Sequence, residues 1–235
     1  SLAGHLGLGK LIVLFDDNGI SIDGSTDLAV SDDTTARFES YGWQVLAVDG
    51  HDMNAVSAAI ADARAEEARP SLIRCRTVIG FGAPNKAGTS GVHGAPLGGD
   101  EIAGTRAALG WDHAPFEIPQ PIVDSWRAVG ARGRAARQAW EARHKAAAHA
   151  AFDAAMSGEF DKHIAAAVLA WKQALAAEPQ KIATRVASQK ALDAIIPACP
   201  ALIGGSADLT GSNNTRAGGQ DIYSRDNPGG TYVHY

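Results

Sequence analysis

Three oxygen-bearing side chains directly follow an uncharged apolar run near the start of the sequence. Residues 11–15 read LIVLF, and Asp16, Asp17 and Asn18 come next, followed by Gly19. An apolar run of this length that ends in a turn signal is typical of a strand buried on both faces. In open α/β sheets, ligands bind where such strands end.

Carboxylate and amide oxygens are ligands that magnesium accepts, and an ion that carries a diphosphate takes its other ligands from phosphate and water. The position therefore predicts a metal–diphosphate site, with the side-chain oxygen of Asn18 and the backbone carbonyl of Ile20 as ligands. A simpler interpretation also exists. Asn-Gly between two apolar runs is typical of a hairpin, and an Asx turn needs no metal. These residues alone leave both interpretations open.

The composition indicates a globular protein with a sizeable core. The chain has 235 residues, of which 46% are hydrophobic and 20% charged, enough for one large domain or parts of two. The net charge of −5 gives no general electrostatic reason to expect nucleic acid or an anionic membrane surface as a partner.

The two cysteines and the chain ends carry further expectations. Cys75 and Cys199 are far apart in apolar surroundings, so we expect buried thiols rather than a disulfide or a metal pair. No stretch has the apolar length of a membrane span, and residues 1–10 lack the features of a signal peptide, which favours a cytoplasmic enzyme. Both ends lack a natural boundary, so we expect an internal section of a longer protein.

The elements that must position the polar cluster follow a strand–helix–strand pattern. We predict strands at 11–15, 42–49 and 71–79, and a helix at 53–68 with Asp52 as its cap. Strand, helix, strand is the signature of a parallel sheet.

The rest of the chain changes character twice. A long Gly- and Pro-rich loop without periodicity is predicted at 80–99, and loops of this length are usually functional or mobile. We predict a helix at 100–109, an extended segment at 115–121, and Ala-rich helices over 123–177 with a break near 157–158. A second α/β unit then has a helix at 183–196 and strands at 201–204 and 230–235. The predicted division is 1–125, a helical linker at 126–180, and 181–235.

Four segments of the sequence resemble the transketolases, and they occur in the family's order. They are DDNGISIDG (16–24), GFGAPNKAGTSGVHGAPLG (80–98), KIATRVASQ (181–189) and LIGGSADLTGSN (202–213). The resemblance implies an α/β thiamine-diphosphate-binding fold, with parallel sheets flanked by helices and parts of two domains joined by the linker. The first part would be the latter part of the diphosphate-binding domain, and the last the beginning of the pyrimidine-binding domain.

The resemblance also implies an activity, which is the reversible transfer of a two-carbon ketol group from a ketose phosphate to an aldose phosphate. Thiamine diphosphate with Mg²⁺, Ca²⁺ or another divalent ion would be the cofactor, and a homodimer would form the active site between its subunits. The alternatives are a related ketol transferase such as dihydroxyacetone synthase, or a non-catalytic transketolase-like interaction protein. Neither nucleic acid nor membrane is expected as a partner.

In the first half of the chain, the resemblance assigns roles to four residues. It implies that Asn18 binds both the metal and the diphosphate, that Ile20 binds the metal, and that Ile22 lies near the thiamine rings. His93 would have a catalytic role, donating to a diphosphate oxygen and to a substrate hydroxyl. Without that resemblance, a lone loop histidine is an ordinary exposed or hydrogen-bonded side chain.

In the second half, Arg185 and Ser212 would bind the substrate phosphate, and Asp208 would lie near the thiazolium ring of the cofactor. The simpler interpretations are a surface charge for Arg185 and a turn or helix cap for Asp208. Val186 stands where the family pattern has a polar or basic residue. The family's catalytic glutamate and first metal aspartate have no counterpart in this sequence, so we expect the chain alone to be inactive.

Overall fold

A computed structural model describes the backbone of residues 1–235 and the side chains of all but residue 161. The chain divides into two compact units, Ser1–Val123 and Asp124–Tyr235. Each unit has its own small parallel sheet.

The first unit contains five strands, which are β1 (Ile12–Asp17), β2 (Ile20–Ser21), β3 (Gly24–Ser25), β4 (Gln44–Asp49) and β5 (Ser71–Arg76). Its helices are α1 (Leu2–His5), α2 (Thr34–Ser40), α3 (Met53–Ala65) and α4 (Gly99–Ala108), with 3-10 turns at Thr26–Leu28 and Ser90–Val92. Helix α5 (Gln120–Ala131) crosses the boundary between the units. The predicted fold class, a parallel sheet with flanking helices, is confirmed.

The main sheet has the order β1-β5-β4, and both strand pairs are parallel. Arg76 on the central strand is in register with Asp17 on one side and with Asp49 on the other. The carboxyl ends of all three strands therefore meet at one edge of the sheet, which is where an open α/β sheet binds ligands.

Helix α3 links β4 to β5 and covers the sheet. The carboxylate of Asp52 accepts hydrogen bonds from the backbone N–H groups of Asn54 and Ala55, at 2.9 and 3.1 Å, so the predicted cap is confirmed. Buried Ala59 and Ala63 on this helix belong to the same core cluster as Ile73 and Cys75 of β5. Small residues on the helix allow it to lie close to the strands.

The burial predicted for the first strand is wrong. β5 is buried at its first three residues, but β1 leaves Leu14 51% and Phe15 37% exposed. The reason is position, because β1 is an outer strand of the sheet and β5 the central one. Several boundaries also differ from the prediction. β4 begins at Gln44 rather than at residue 42, β5 ends at Arg76 rather than at residue 79, and α3 ends at Ala65 rather than at residue 68.

The second unit is mainly helical before its small sheet. Its elements are α6 (Arg134–Ala147), α7 (Ala150–Ser157), α8 (Asp161–Ala177), α9 (Thr184–Ile195), a 3-10 turn (Ile196–Ala198), β6 (Gly204–Ser206), α10 (Thr210–Asn213) and β7 (Tyr232–His234).

The helices of this unit break at the predicted place and at one further place. Gly158 ends α7 in the left-handed conformation with φ of 69°, which confirms the break near 157–158. A second break at Ala148, with φ of 47°, was not predicted, because alanine rarely adopts that conformation. The segment predicted to be extended to 121 already becomes helical at Gln120.

The strand predicted at 201–204 is displaced, because the observed strand β6 begins at Gly204. The residues before it form a turn in which the N–H of Leu202 donates to the carbonyl of Cys199 at 3.0 Å. β6 pairs in parallel with β7, the strand predicted at 230–235. Tyr232 of β7 is fully buried, and its hydroxyl shares hydrogen bonds with the hydroxyls of Thr210 and Thr215.

The prediction for the cysteines is confirmed, since Cys75 and Cys199 are both free and buried. Burial raises the pKa of the Cys75 thiol, and the nearby charge of Asp16 raises that pKa further, so the sulfur stays protonated. Among the described residues, every helix is too short or too polar to cross a membrane.

Candidate functional site

A cleft of about 1370 Å³ opens at the carboxyl edge of the main sheet. Its lining comes from the ends of β1, β4 and β5, and from the segment between β3 and α2. The polar cluster at the end of β1, Asp16 to Asn18, lies in this cleft, as expected from the strand order. Asn18 and Ile20 both belong to its lining.

Two arginines of β5 share one carboxylate in the cleft. Arg74 donates from Nε to Oδ2 of Asp17 at 2.6 Å, and Arg76 lies 3.4 Å from Oδ1 of the same side chain. Arg76 also donates to the backbone oxygen of Asp17 at 3.2 Å. Asp17 is therefore held by charge-assisted hydrogen bonds, which bind it to the neighbouring strand rather than leaving it free as a metal ligand.

Asn18 forms the turn that leads out of β1. Its Oδ1 accepts a hydrogen bond from the N–H of Ile20 at 2.9 Å, and its Nδ2 donates to Asp16 at 3.3 Å. The other carboxylate oxygen of Asp16 accepts from the hydroxyl of Thr77. This is an Asx turn, and Gly19 within it adopts the left-handed conformation, with φ of 71°, at little steric cost because it lacks a Cβ.

The observed turn excludes a hairpin at Asn18–Gly19, and it leaves room for a metal ligand at Asn18. Asn18–Gly19 does not close a hairpin, because β1 pairs in parallel with β5; the hairpin lies further on, between β2 and β3. An amide oxygen has two lone pairs, so Oδ1 of Asn18 retains one acceptor position beside its bond to Ile20. Neutral oxygens of this kind are suitable ligands for a hard cation.

The described residues contain no group of three or more His, Cys, Asp or Glu side chains that could hold a metal by themselves. Asn18 and Ile20 would thus form a partial ligand set, and a diphosphate would have to supply further oxygens. This donor set fits a magnesium ion that arrives with a phosphate group. Ile22, at the tip of the β2–β3 hairpin, is 74% exposed and is not part of the cleft lining within the described residues.

His51 lies in the cleft, where sequence reasoning assigned it no role. It follows the end of β4, and its Nε2 accepts a hydrogen bond from the N–H of Val78 at 2.9 Å. Its ring stacks on Phe81 with a centroid distance of 4.0 Å. The sequence did indicate that His51 would lie at this edge of the sheet, because the carboxyl ends of parallel strands share an edge and His51 comes two residues after β4.

His93 is exposed in the long loop that follows β5. It ends a 3-10 turn, and its N–H donates to the carbonyl of Ser90 at 3.0 Å. It does not belong to the lining of the cleft as the described residues form it. The imidazole is thus accessible to a ligand that approaches from solvent.

The same loop is tied down near its middle by a buried carboxylate. Glu101 of α4 accepts from Nδ2 of Asn85 at 2.6 Å and from the backbone N–H of Asn85 at 3.2 Å. The side-chain hydrogen bond of Asn85 is the main reason that the pKa of Glu101 lies below its ordinary value. Lys86 donates to the carbonyl of Leu97 at 2.8 Å and so joins two further points of the loop.

The three remaining site residues lie in the second unit, and all are exposed. Arg185 is in the first turn of α9, which no described side chain caps. Ser212 is in α10. Asp208, just after β6, has φ of 64°, a left-handed conformation that costs energy for most residues and less for Asp. It is not the N-cap of α10, since Leu209 holds that position.

Comparison with known proteins decides the family. Residues 1–183 match the family model described as the transketolase thiamine diphosphate binding domain. The chain belongs to the transketolase family. A transketolase of Cereibacter sphaeroides is 51% identical over 235 residues, and transketolase 1 of Escherichia coli K12 is 48% identical over 242 residues.

Solved transketolase structures have the same fold. One from Leishmania mexicana matches with a TM-score of 0.83 at 37% identity over 99% of this chain and 35% of that one. One from Pichia stipitis, solved in complex with sedoheptulose 7-phosphate, matches with a TM-score of 0.78 at 37% identity over 100% of this chain. The resemblance seen in the four segments is thereby confirmed.

The match covers all of this chain but a minor share of each relative. The chain spans 36% of the length of the Cereibacter and Escherichia transketolases and 36% of the Pichia chain.

Proposed function

We propose that this chain is part of a working transketolase, which transfers a two-carbon ketol group from a ketose phosphate to an aldose phosphate. The observation that carries the proposal is the placement of Asn18 and Ile20 in the cleft at the carboxyl edge of a parallel sheet. Membership of the transketolase family supports it, as does the Pichia stipitis relative, which was solved with a sugar phosphate.

Oδ1 of Asn18 and the backbone carbonyl of Ile20 would hold Mg²⁺, or Ca²⁺ or another divalent ion, and Asn18 would also contact the diphosphate. Thiamine diphosphate supplies, when bound, the reactive carbon and the electron sink for breaking and forming a carbon–carbon bond. The protein's own task is to bind and orient the cofactor and the substrate. The exposed apolar side chain of Ile22 would lie against the thiamine rings.

His93 is the proposed catalytic residue of this chain. An exposed imidazole on a loop anchored by Glu101 can donate to a diphosphate oxygen and to a substrate hydroxyl. In the second unit, the exposed carboxylate of Asp208 would lie near the thiazolium ring, where a negative charge stabilises a positive one.

Arg185 and Ser212 would bind the substrate phosphate. The first backbone N–H groups of a helix attract anions, and a guanidinium there adds two fixed donors. The proposed protein is a homodimer with its active site between the two subunits. It is proposed to act in the cytoplasm.

Asn18→Leu tests the metal site. The variant removes the proposed ligand and keeps the size of the side chain, so the affinity for thiamine diphosphate should fall and its dependence on magnesium should weaken. The measurement is a titration of the complete gene product with cofactor at limiting magnesium. Asn54→Leu, on the exposed face of α3, is the matched control.

Asn18→Asp separates the metal from the turn. An aspartate can still accept the N–H of Ile20 and still offers an oxygen to the metal, so magnesium dependence should persist. Unchanged cofactor binding in Asn18→Leu would show that Asn18 forms a plain turn and nothing more.

A further inference from the structure

We infer that His51 is a positioning residue that holds the start of the 77–98 loop and thereby places His93. The catalytic importance of His93 rests on the proposed function, whereas the contacts between His51 and the loop are independent of that proposal. They run from the end of β4, through the segment after β5, to the turn that presents His93.

The backbone on both sides of His51 is held in place. Oδ1 of Asp49 accepts the N–H of His51 at 2.9 Å, and the N–H of Gly50 donates to the carbonyl of Arg76 at 2.8 Å. Asp52 caps α3 immediately afterwards. His51 therefore lies between the end of a sheet strand and a capped helix, and its backbone is hydrogen-bonded on both sides.

The ring of His51 makes two contacts with the loop. Its Nε2 accepts the N–H of Val78 at 2.9 Å, and its face stacks on Phe81 with an interplanar angle of 23°. This hydrogen bond uses the lone pair of Nε2, so it forms only when that nitrogen carries no proton. Phe81 is 52% exposed, and the ring of His51 is the aromatic side chain that contacts it among the described residues.

The held segment in turn touches the residue next to His93. A Cβ added to Gly80 would lie 3.0 and 3.2 Å from the two methyl groups of Val92, so the backbone at Gly80 packs directly on Val92. The N–H of Gly88 also donates to the carbonyl of Ile79 at 2.8 Å. Moving residues 78–81 would therefore move Val92, and with it His93.

The experiment measures amide hydrogen exchange in the complete gene product, without cofactor or substrate. His51→Phe keeps a ring that can stack and removes the acceptor, and His51→Gln offers an acceptor oxygen without the ring. We expect His51→Phe to speed exchange in residues 78–93 by about tenfold, the factor that corresponds to about 1.4 kcal/mol, while β5 keeps its wild-type rates. His51→Gln should restore part of the protection at Val78.

Two results would overturn the inference. Wild-type exchange in residues 78–93 of His51→Phe would show that the loop does not depend on the acceptor. Equal acceleration in β5 would show that His51 supports the sheet as a whole. If His51→Phe does not fold, Phe81→Leu removes the stack from the loop side and is judged by the same two readings.

An activity measurement separates this inference from the proposed function. If the wild type transfers ketol groups, His51→Phe should lower the apparent affinity for thiamine diphosphate by about tenfold, with rescue by His51→Gln. If the wild type has no such activity, the proposed function fails, and the exchange data still decide whether His51 holds the loop. His5→Phe, at an exposed histidine outside the loop, is the control.

Discussion

Arg185 occupies a position where a lone cation is unfavourable. The N-terminal end of a helix carries a partial positive charge, and Arg185 lies in the first turn of α9 with no side-chain cap before it. No described residue forms an ion pair with it, so its charge is uncompensated within the described part of the chain. A bound anion would balance both the helix end and the guanidinium.

Arg185→Ala should therefore weaken the binding of phosphorylated sugars specifically. A charge-assisted hydrogen bond is worth about 1.5–3 kcal/mol, so KM should rise by about one to two orders of magnitude. Steady-state kinetics of the complete gene product with phosphorylated and unphosphorylated ketoses provide the comparison. Lys181→Ala, an exposed cation before α9, is the control, and equal losses for both classes of ketose would exclude the role.

At the scale of single residues, features that depend on neighbours in the sequence were predictable, and features that depend on long-range contacts were not. The Asx turn at Asn18 and the cap at Asp52 depend on neighbours two or three residues away, and both were readable from residue type and spacing. The role of His51 depends on Val78 and Phe81, which approach it only because β4 and β5 are parallel neighbours. A histidine has no local signature for such a contact.

Loop 77–98 and helix α4 are coupled through one buried carboxylate. Glu101 is 8% exposed, and both of its oxygens accept hydrogen bonds from Asn85. These bonds favour the ionised form and lower the pKa of Glu101 in the folded protein. The stabilisation is present above the ordinary pKa of 4.5 and is lost as the pH falls through the lower, folded-state value.

Glu101→Gln should flatten the pH dependence of unfolding below about 4.5. Denaturant unfolding at a series of acidic pH values is the measurement. Asn85→Ala, which removes the donor rather than the acceptor, should flatten the same part of the curve. If both variants lose stability with the wild-type slope, the contact makes no pH-dependent contribution.

At the scale of elements, type was easier to predict than position. The alternation of strand and helix over 42–76 was clear because β-branched and apolar runs alternate with helical spacing. β6 was misplaced because its residues, Gly204–Ser206, have almost no side-chain signal of their own. The exposure of Leu14 and Phe15 was also missed, since an outer strand and a central one read alike when both are apolar.

The whole chain carries apolar surface that the described structure leaves uncovered. Leu14 and Phe15 on β1 are exposed at an outer strand of the main sheet, and Trp126 on α5 is 73% exposed. Exposed apolar strands at the edge of a sheet pair with other chains. The chain covers 36% of the Cereibacter sphaeroides transketolase, which gives a second reason to expect incomplete function.

We therefore expect the 235-residue chain, expressed alone, to self-associate and to show no ketol transfer. Sedimentation velocity measures the first expectation, and Leu14→Lys should shift the distribution toward smaller species by placing a charge on β1. An assay with thiamine diphosphate, magnesium, a ketose phosphate and an aldose phosphate measures the second. Turnover comparable to a complete transketolase would contradict it.

The buried hydroxyl of Tyr232 has a consequence for the order in which the chain folds. It bonds to Thr210 and Thr215, on either side of Ser212, and the four-residue helix α10 is too short to persist by itself. Ser212 can therefore take its place only after β7 has been synthesised and has paired with β6. The hydroxyl proposed to bind substrate is thus positioned late, by a residue that the ribosome adds after it.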